Sequence, residues 1–284
     1  MKTILVPTDF SKNAGLAMDV ARDIALKSKA KVILLHVIEA ADSGTFNVEG
    51  EAARGADMQD RFFTMKLIER SKKQLEKAVQ DPKYSDIRVE GELRMGNAYH
   101  GIQAIVTEHK VDLVVMGTAG HSQAEEVLVG SNTEKVVRRS KCPVLSVHTK
   151  PLTTNFKSIV YATSMAKDEE VFSRIIKRTQ QLYDSTINLV RINTPGDFQP
   201  DHIVMDYMEK FAKNLGLKNY SINTYNDLSV EEGILRFSQT VGADLIAMAT
   251  HGRTGLAHLL AGSVAESVVS KAKRLPVLTF SVRH

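Results

Sequence analysis

Short apolar runs alternate along this chain with longer amphipathic stretches, and the whole alternation occurs twice. In the first half, Thr3 to Pro7, Lys31 to Val37, Asp112 to Met116 and Val144 to Val147 are nearly continuous runs of β-forming residues. Runs of that kind predict strands covered on both faces. Ile87 to Leu93 alternates with period two and predicts a further strand. The intervening stretches repeat with a helical period. Ser11 offers an N-cap to a helix reaching about Lys27, in which Leu16, Met18, Val20, Ala21, Ile24 and Ala25 favour one face. Met65 to Ala78 is a second helix with Leu67, Ile68 and Leu75 inward, followed by helices over Tyr99 to His109 and Asn132 to Arg139. Strands alternating with helices predict an open, parallel α/β sheet with helices on both faces. Ligands bind such sheets at the carboxyl ends of the strands, where the strand order reverses.

The duplication is visible residue by residue. ILVPTDFS (Ile4 to Ser11) matches IVYATSMA (Ile159 to Ala166), and LLHVIEA from Leu34 matches LVRINTP from Leu189, both pairs 155 residues apart. DLVVMGTAG from Asp112 matches DLIAMATHG from Asp244, and VGSNTEKVV from Val129 matches AGSVAESVV from Ala261, both 132 apart. CPVLSV from Cys142 matches LPVLTF from Leu275. The fall in offset means 23 extra residues in the first half, around Ala41 to Phe63. That stretch is rich in Gly, Ala and charge, and is expected to be a long loop feeding the next helix. The polar segment HTKPLTTN (His148 to Asn155) reads as a linker. Two domains are expected, residues 1–148 and 155–284.

Composition narrows the function classes. The 284 residues carry 43% apolar and 25% charged residues, enough apolar content for two cores. A net charge of +4, scattered basic residues, 6% aromatics and no Trp lack the footprint of a nucleic-acid binder, so none is expected as partner. No run of about 18 apolar residues predicts a membrane helix. MKTILVPTDF, with Asp9, reads as a first strand rather than a signal peptide. Cys142, the single cysteine, has no partner for an intrachain disulfide, and a reducing cytoplasm is the simpler expectation. Nine histidines show no metal-ligand spacing, so no metal centre is expected. His36 reads as a packed strand histidine, and Glu125–Glu126 as a solvated face.

The candidate chemistry lies after the strand that ends at Met116. Gly117, Gly120, Gly130 and Ser131 form the pattern G-x2-G-x9-G-S, with Gly130–Ser131 opening a helix. Glycines admit a phosphate close to the backbone, and a helix N-terminus offers free N–H groups and a positive dipole end. Taken alone, the same residues read equally as a turn and a helix cap. Neither a Walker P-loop nor a Rossmann G-x-G-x-x-G is present.

With these motifs together, each half resembles a universal stress protein domain, and the first resembles that family's ATP-binding branch. The ILVPTDFS opening, the DLVVMG strand with its glycine pattern and the CPVL ending carry the resemblance across nearly the whole chain. It implies a Rossmann-like, adenine-nucleotide alpha-hydrolase-like fold in tandem. Pro7, Thr8 and Asp9 match the loop that meets adenine and ribose, and Val37 a backbone contact to the adenine edge. Met116, Gly117 and Gly120 match the loop beneath ribose and phosphates, and Gly130, Ser131 and Asn132 the triphosphate cradle. Ala119 replaces a frequent His, and His121 a frequent Arg or Lys, which weakens charge neutralisation because unperturbed His is mostly neutral at pH 7. In the second half Gly252, Arg253, Gly262, Ser263 and Val264 are the corresponding candidates, but Ala249 replaces the first Gly, Ser164 the Asp and Ala162 the Pro. The resemblance also implies pairing of the two last strands, Val144 to Val147 with Val277 to Phe280, as a pseudo-dimer within one chain, with homodimerisation of whole chains left open.

The expected function is therefore a stress-response protein that binds ATP, ADP or AMP, with or without Mg²⁺, and switches an unidentified protein partner. A nucleotide-independent scaffold and a slow ATPase are the alternatives. No catalytic set of nucleophile, base and orienting group can be assembled from spacing, and the HIGH and SGGxDS signatures of related adenine-nucleotide enzymes are absent.

Overall fold

The computed structural model describes residues 1–39, 56–118, 131–165, 169–251 and 259–282, with the backbone alone at 56–61, 131, 170, 251 and 259–263. The first half comprises β1 (Thr3–Pro7), α1 (Lys12–Ser28), β2 (Lys31–Ile38), α2 (Ala56–Val79), β3 (Val89–Met95), α3 (Ala98–Glu108), β4 (Leu113–Gly117), α4 (Ser131–Arg139) and β5 (Val144–Val147). The second half repeats this order with β6 (Ser158–Ala162), α5 (Glu170–Tyr183), β7 (Thr186–Asn193), α6 (Asp201–Leu215), β8 (Tyr220–Asn226), α7 (Val230–Thr240), β9 (Leu245–His251), α8 (Leu259–Lys271) and β10 (Val277–Val282). The expected element order holds in both halves.

β3 lies two residues later than the expected Ile87 to Leu93, β10 runs two residues beyond Phe280, and the largest departure is in α2. α2 begins at Ala56, so residues 56–63 of the expected loop are helical. Its first described side chains, Phe62, Phe63 and Met65, are exposed, which is why no buried apolar stripe announced this part of the helix. The remainder of the insertion lies outside the described residues.

Among the described residues the strands form one sheet in the order β3-β2-β1-β4-β5-β10-β9-β6-β7-β8. Pairing is parallel within each half. The seam is antiparallel, β10 on β5, with Val277 opposite Ser146, Leu278 opposite Leu145 and Thr279 opposite Val144. The two last strands thus lie side by side, as the resemblance implied. An intrachain pseudo-dimer of this kind hides what would otherwise be an open sheet edge.

The pleat sends alternate residues to opposite faces. On one face Ile4, Val6, Ile159 and Tyr161 join a single cluster running across the seam beneath α1, α2, α5 and α6. On the other face the halves keep separate clusters, Leu5 and Ile33 under α3 and α4, Val160 and Val190 under α7 and α8. Arg138 on α4 meets Glu266 on α8 through both Nε and Nη2, the latter at 2.6 Å, and ties the halves on this face. Cys142 is buried in the first-half cluster, and burial pushes its thiol up to about 11, far from a reactive thiolate.

Candidate functional site

In the first half the strand order reverses between β1 and β4, which flank one another and lead away in opposite directions. A ligand crevice belongs at their carboxyl ends. There the structure has a cavity of about 500 Å³. It brings together Pro7, Thr8, Asp9, Val37, Met116, Gly117 and Asn132 from the sequence-derived set. Gly120, His121 and Gly130 lie outside the described residues. Ser131 is the first residue of α4, so its backbone sits where the resemblance placed an anion cradle.

The loop after β1 is held by local hydrogen bonds. Thr8 N–H donates to the Leu35 carbonyl at 2.8 Å. The Thr8 hydroxyl oxygen accepts from Phe10 N at 2.9 Å, and Asp9 Oδ1 accepts from Ser11 N at 2.9 Å. Phe10 sits at φ 61°, a left-handed conformation that costs a non-glycine residue about 1 kcal/mol or more. Two contacts from β2 stabilise it: His36 Nδ1 lies 2.8 Å from the Thr8 carbonyl, and its ring is 4.5 Å from that of Phe10. Ser11 then caps α1, accepting from Ala14 N at 3.2 Å.

Gly117 is glycine because α1 approaches it. A Cβ there would stand 2.4 Å from the Asn13 carbonyl oxygen. Its φ is not positive, so close approach of backbone, and not a left-handed conformation, is what requires glycine here. Asn13 Nδ2 donates to the Thr118 carbonyl at 3.1 Å, locking the α1 N-terminus against the end of β4. The Thr118 hydroxyl meets His148 Nδ1 at 2.7 Å. Burial, together with the charge of Lys273, holds the His148 imidazole below its usual range.

Spacing did not single out several lining residues. His36 and Asn13 line the cavity and brace its loops; Leu67 and Ser71 of α2 form an outer wall. Glu39, just past β2, accepts from Asn132 Nδ2 at 3.5 Å across the mouth. The usable signal was position: Asn13, His36 and Glu39 sit within a few residues of the ends of β1 and β2, where such sheets bind ligands. Asp9 and Glu39 give the described lining two carboxylates and no lysine or arginine.

The second half keeps the turn but fills it differently. Thr163, 155 residues after Thr8, accepts from Met165 N at 2.9 Å, and Met165, like Phe10, is left-handed at φ 60°. In the same register Glu169 stands where the first half has Ala14. Its carboxylate is buried and accepts from Tyr161 Oη at 2.9 Å, Thr163 Oγ1 at 2.6 Å, Ser164 N at 3.1 Å and Ser164 Oγ at 2.8 Å. The acid has moved from the exposed loop position, Asp9 against Ser164, to an interior one that consumes the loop's donors. Arg191, in the register of His36, is buried and paired with Asp197 at 2.9 Å. Of the second-half candidates, Gly252 and Arg253 lie outside the described residues. Gly262 and Ser263 fall inside α8, which starts at Leu259. They therefore do not open the helix as Gly130 and Ser131 were read to do, and Ser263 N–H is past the first four unpaired donors. Val264 packs against the second-half core.

A model of the universal stress protein family matches this chain twice, over residues 1–148 and 155–280. A universal stress protein of Methanocaldococcus jannaschii is 30% identical over 156 residues, covering 52% of this chain and 96% of the relative. A putative universal stress protein of Staphylococcus haemolyticus is 30% identical over 169 residues, covering 58% of this chain and 96% of the relative. Among solved structures, a universal stress protein from Archaeoglobus fulgidus superposes with a TM-score of 0.75 at 18% identity, covering 98% of both chains. A putative universal stress protein from Pseudomonas aeruginosa gives 0.64 at 20% identity, covering 99% of this chain and 93% of the other. At these identities the structural likeness is one of fold.

Proposed function

The chain belongs to the universal stress protein family, and from that premise we propose that its first half binds an adenine nucleotide while its second half does not. The observation that carries this reading is the contrast between the two loop ends. The first has an open cavity lined by Pro7, Thr8, Asp9, Val37, Met116, Gly117 and Asn132, and the second a buried Glu169 bonded to the same turn.

Charge orients the ligand within the cavity. Asp9 and Glu39 are acceptors suited to ribose hydroxyls, the adenine amino group or a cation, and either would repel phosphate that carried no cation. The polyphosphate is assigned to the N-terminus of α4, at Ser131 and Asn132, because free N–H groups and the positive dipole end lie there, with Gly120, His121 and Gly130 completing the cradle as the resemblance implies. The described lining has no lysine or arginine, so Mg²⁺ fits the site. Mg²⁺ typically takes one or two carboxylates together with phosphate oxygens; Asp9 would hold it, and bound there it would neutralise phosphate charge. ATP is the proposed ligand, in a cytoplasmic stress-response protein whose nucleotide-loaded loops present a surface to a protein partner. Binding rather than hydrolysis is proposed, because no catalytic set of nucleophile, base and orienting group can be assembled from the spacing of the motifs.

Calorimetric titration of ATP with Mg²⁺ into wild type, Asp9→Ala and Gly130→Arg tests the reading. It predicts one site per chain, lost in Gly130→Arg and weakened in Asp9→Ala. Absence of binding at millimolar ATP would overturn it in favour of a nucleotide-independent scaffold, the reading that the buried Glu169 of the second-half turn favours.

A further inference from the structure

A second cleft, of about 490 Å³, lies at the seam between the halves and away from the strand ends just described. The chain's internal symmetry builds it. Ile24 and Thr179, Ser28 and Tyr183, Leu113 and Leu245, and Leu145 and Leu278 line it in pairs related by the repeat. Its walls are the last turns of α1 and α5, and its floor is the sheet at the β5–β10 seam. The volume falls within the range of about 300–1,000 Å³ typical of small-molecule sites. It is far larger than the voids of a close-packed interior.

The chemistry of the cleft has two parts. The interior is apolar, with Ile24, Phe156, Leu182, Leu245 and Leu278. The rim is basic: Lys27, Lys29 and Arg178 line it and are exposed. Lys27 Nζ is held at the edge, 5.0 Å over the Tyr183 ring and 3.4 Å from Asn155 Oδ1. Lys29 and Arg178 form no ion pair among the described residues. The one lining carboxylate, Asp112, is engaged by the backbone N–H groups of Lys2 and Thr3 at 2.6 and 3.1 Å. Both helices end here and bring roughly half a negative charge each. Three full cations exceed that, so the rim stays positive.

An apolar interior beneath a cationic rim fits an amphipathic anion. We propose that the seam cleft binds a free medium-chain fatty acid, its alkyl chain against the sheet floor and its carboxylate among Lys27, Lys29 and Arg178. Because both halves contribute walls, such a ligand would bridge α1 and α5 and sense their spacing. The proposal is independent of the nucleotide reading.

Displacement of cis-parinaric acid from the full chain by octanoate, decanoate and dodecanoate, kept below their micelle concentrations, tests it. Affinity is expected to rise roughly fourfold per added methylene, the equivalent of about 0.8 kcal/mol each. Arg178→Glu and Lys27→Glu, both exposed positions, should each weaken dodecanoate at least tenfold, and dodecanol should bind at least tenfold more weakly than dodecanoate. Thr179→Trp should fill the cleft and abolish displacement, with circular dichroism confirming its fold. Should that variant fail to fold, the two charge reversals carry the test. The proposal is overturned if no alkyl carboxylate displaces the probe, if dodecanol matches dodecanoate, or if neither charge reversal weakens binding. Binding to phosphatidylglycerol vesicles without binding to monomeric decanoate would overturn it equally.

Discussion

Replacing Glu169 by alanine removes the acceptor of four hydrogen bonds, from Tyr161 Oη, Thr163 Oγ1, Ser164 N and Ser164 Oγ, at 2.6 to 3.1 Å. Hydrogen bonds to a charged group are worth about 1.5–3 kcal/mol each. Against that stands the desolvation of the carboxylate, several kcal/mol for a buried ion. Alanine deletes the charge itself and leaves neutral buried donors unpaired, each costing about 1–3 kcal/mol, partly offset by the relieved desolvation, so a net loss of about 2–4 kcal/mol is expected. Glutamine should behave differently. Oε1 serves Ser164 and Oε2 serves the two hydroxyls, so an amide whose oxygen faces Ser164 turns its NH₂ toward Tyr161 and Thr163. Both hydroxyls can rotate and accept. Glu169→Gln also relieves the buried charge, so its cost should stay below about 1.5 kcal/mol. Urea unfolding followed by circular dichroism, with the slope compared between variants, reads both numbers. First-half ATP affinity should be unchanged in Glu169→Gln. An alanine cost under about 1 kcal/mol would refute the claim that this carboxylate organises the second-half loop. So would a glutamine variant as damaged as the alanine one.

Other perturbations bear on the remaining parts of the structure. Gly117→Ala puts a methyl group 2.4 Å from the Asn13 carbonyl and should cost about 1–3 kcal/mol in thermal or urea unfolding, with loss of ATP binding. Val277→Pro removes a backbone donor from β10, which has β5 on one side and β9 on the other; it should destabilise the chain by at least about 1 kcal/mol and loosen interdomain contacts in hydrogen exchange. Because the folded His148 imidazole titrates below its ordinary value, the unfolded chain takes up that proton first. His148 therefore contributes falling stability as pH drops below about 6.5. His148→Asn should flatten that part of the stability profile relative to wild type, and an unchanged profile would remove the assignment.

The fold was legible because both of its signals are local. The strands β1 and β5 were read to the residue, since continuous β-branched runs bounded by Pro, Gly and polar residues mark buried parallel strands. The repeat offsets then supplied the second half and its register. The start of α2 escaped because Phe62, Phe63 and Met65 face outward, so a helix was present without its usual buried stripe. At the site, the glycine pattern drew attention to the right strand end but gave an incomplete reason for Gly117: the constraint is the backbone of Asn13, 104 positions earlier, and only folding brings the two together. Glu169 was missed for a similar cause. A glutamate near the start of a helix looks solvated in sequence, and its four donors become visible only when the β6 turn folds over it. Neither the seam cleft nor its cationic rim has any motif, because each half supplies one wall.

The most direct test of one nucleotide site, in the first half, is photolabelling with 8-azido-ATP followed by peptide mapping, with and without excess ATP. The account predicts label on peptides carrying the ends of β1, β2 or β4, protected by ATP and absent from the β6 end around Thr163 and Ser164. ATP-protected label on the second half, or label that ATP does not displace, would contradict it.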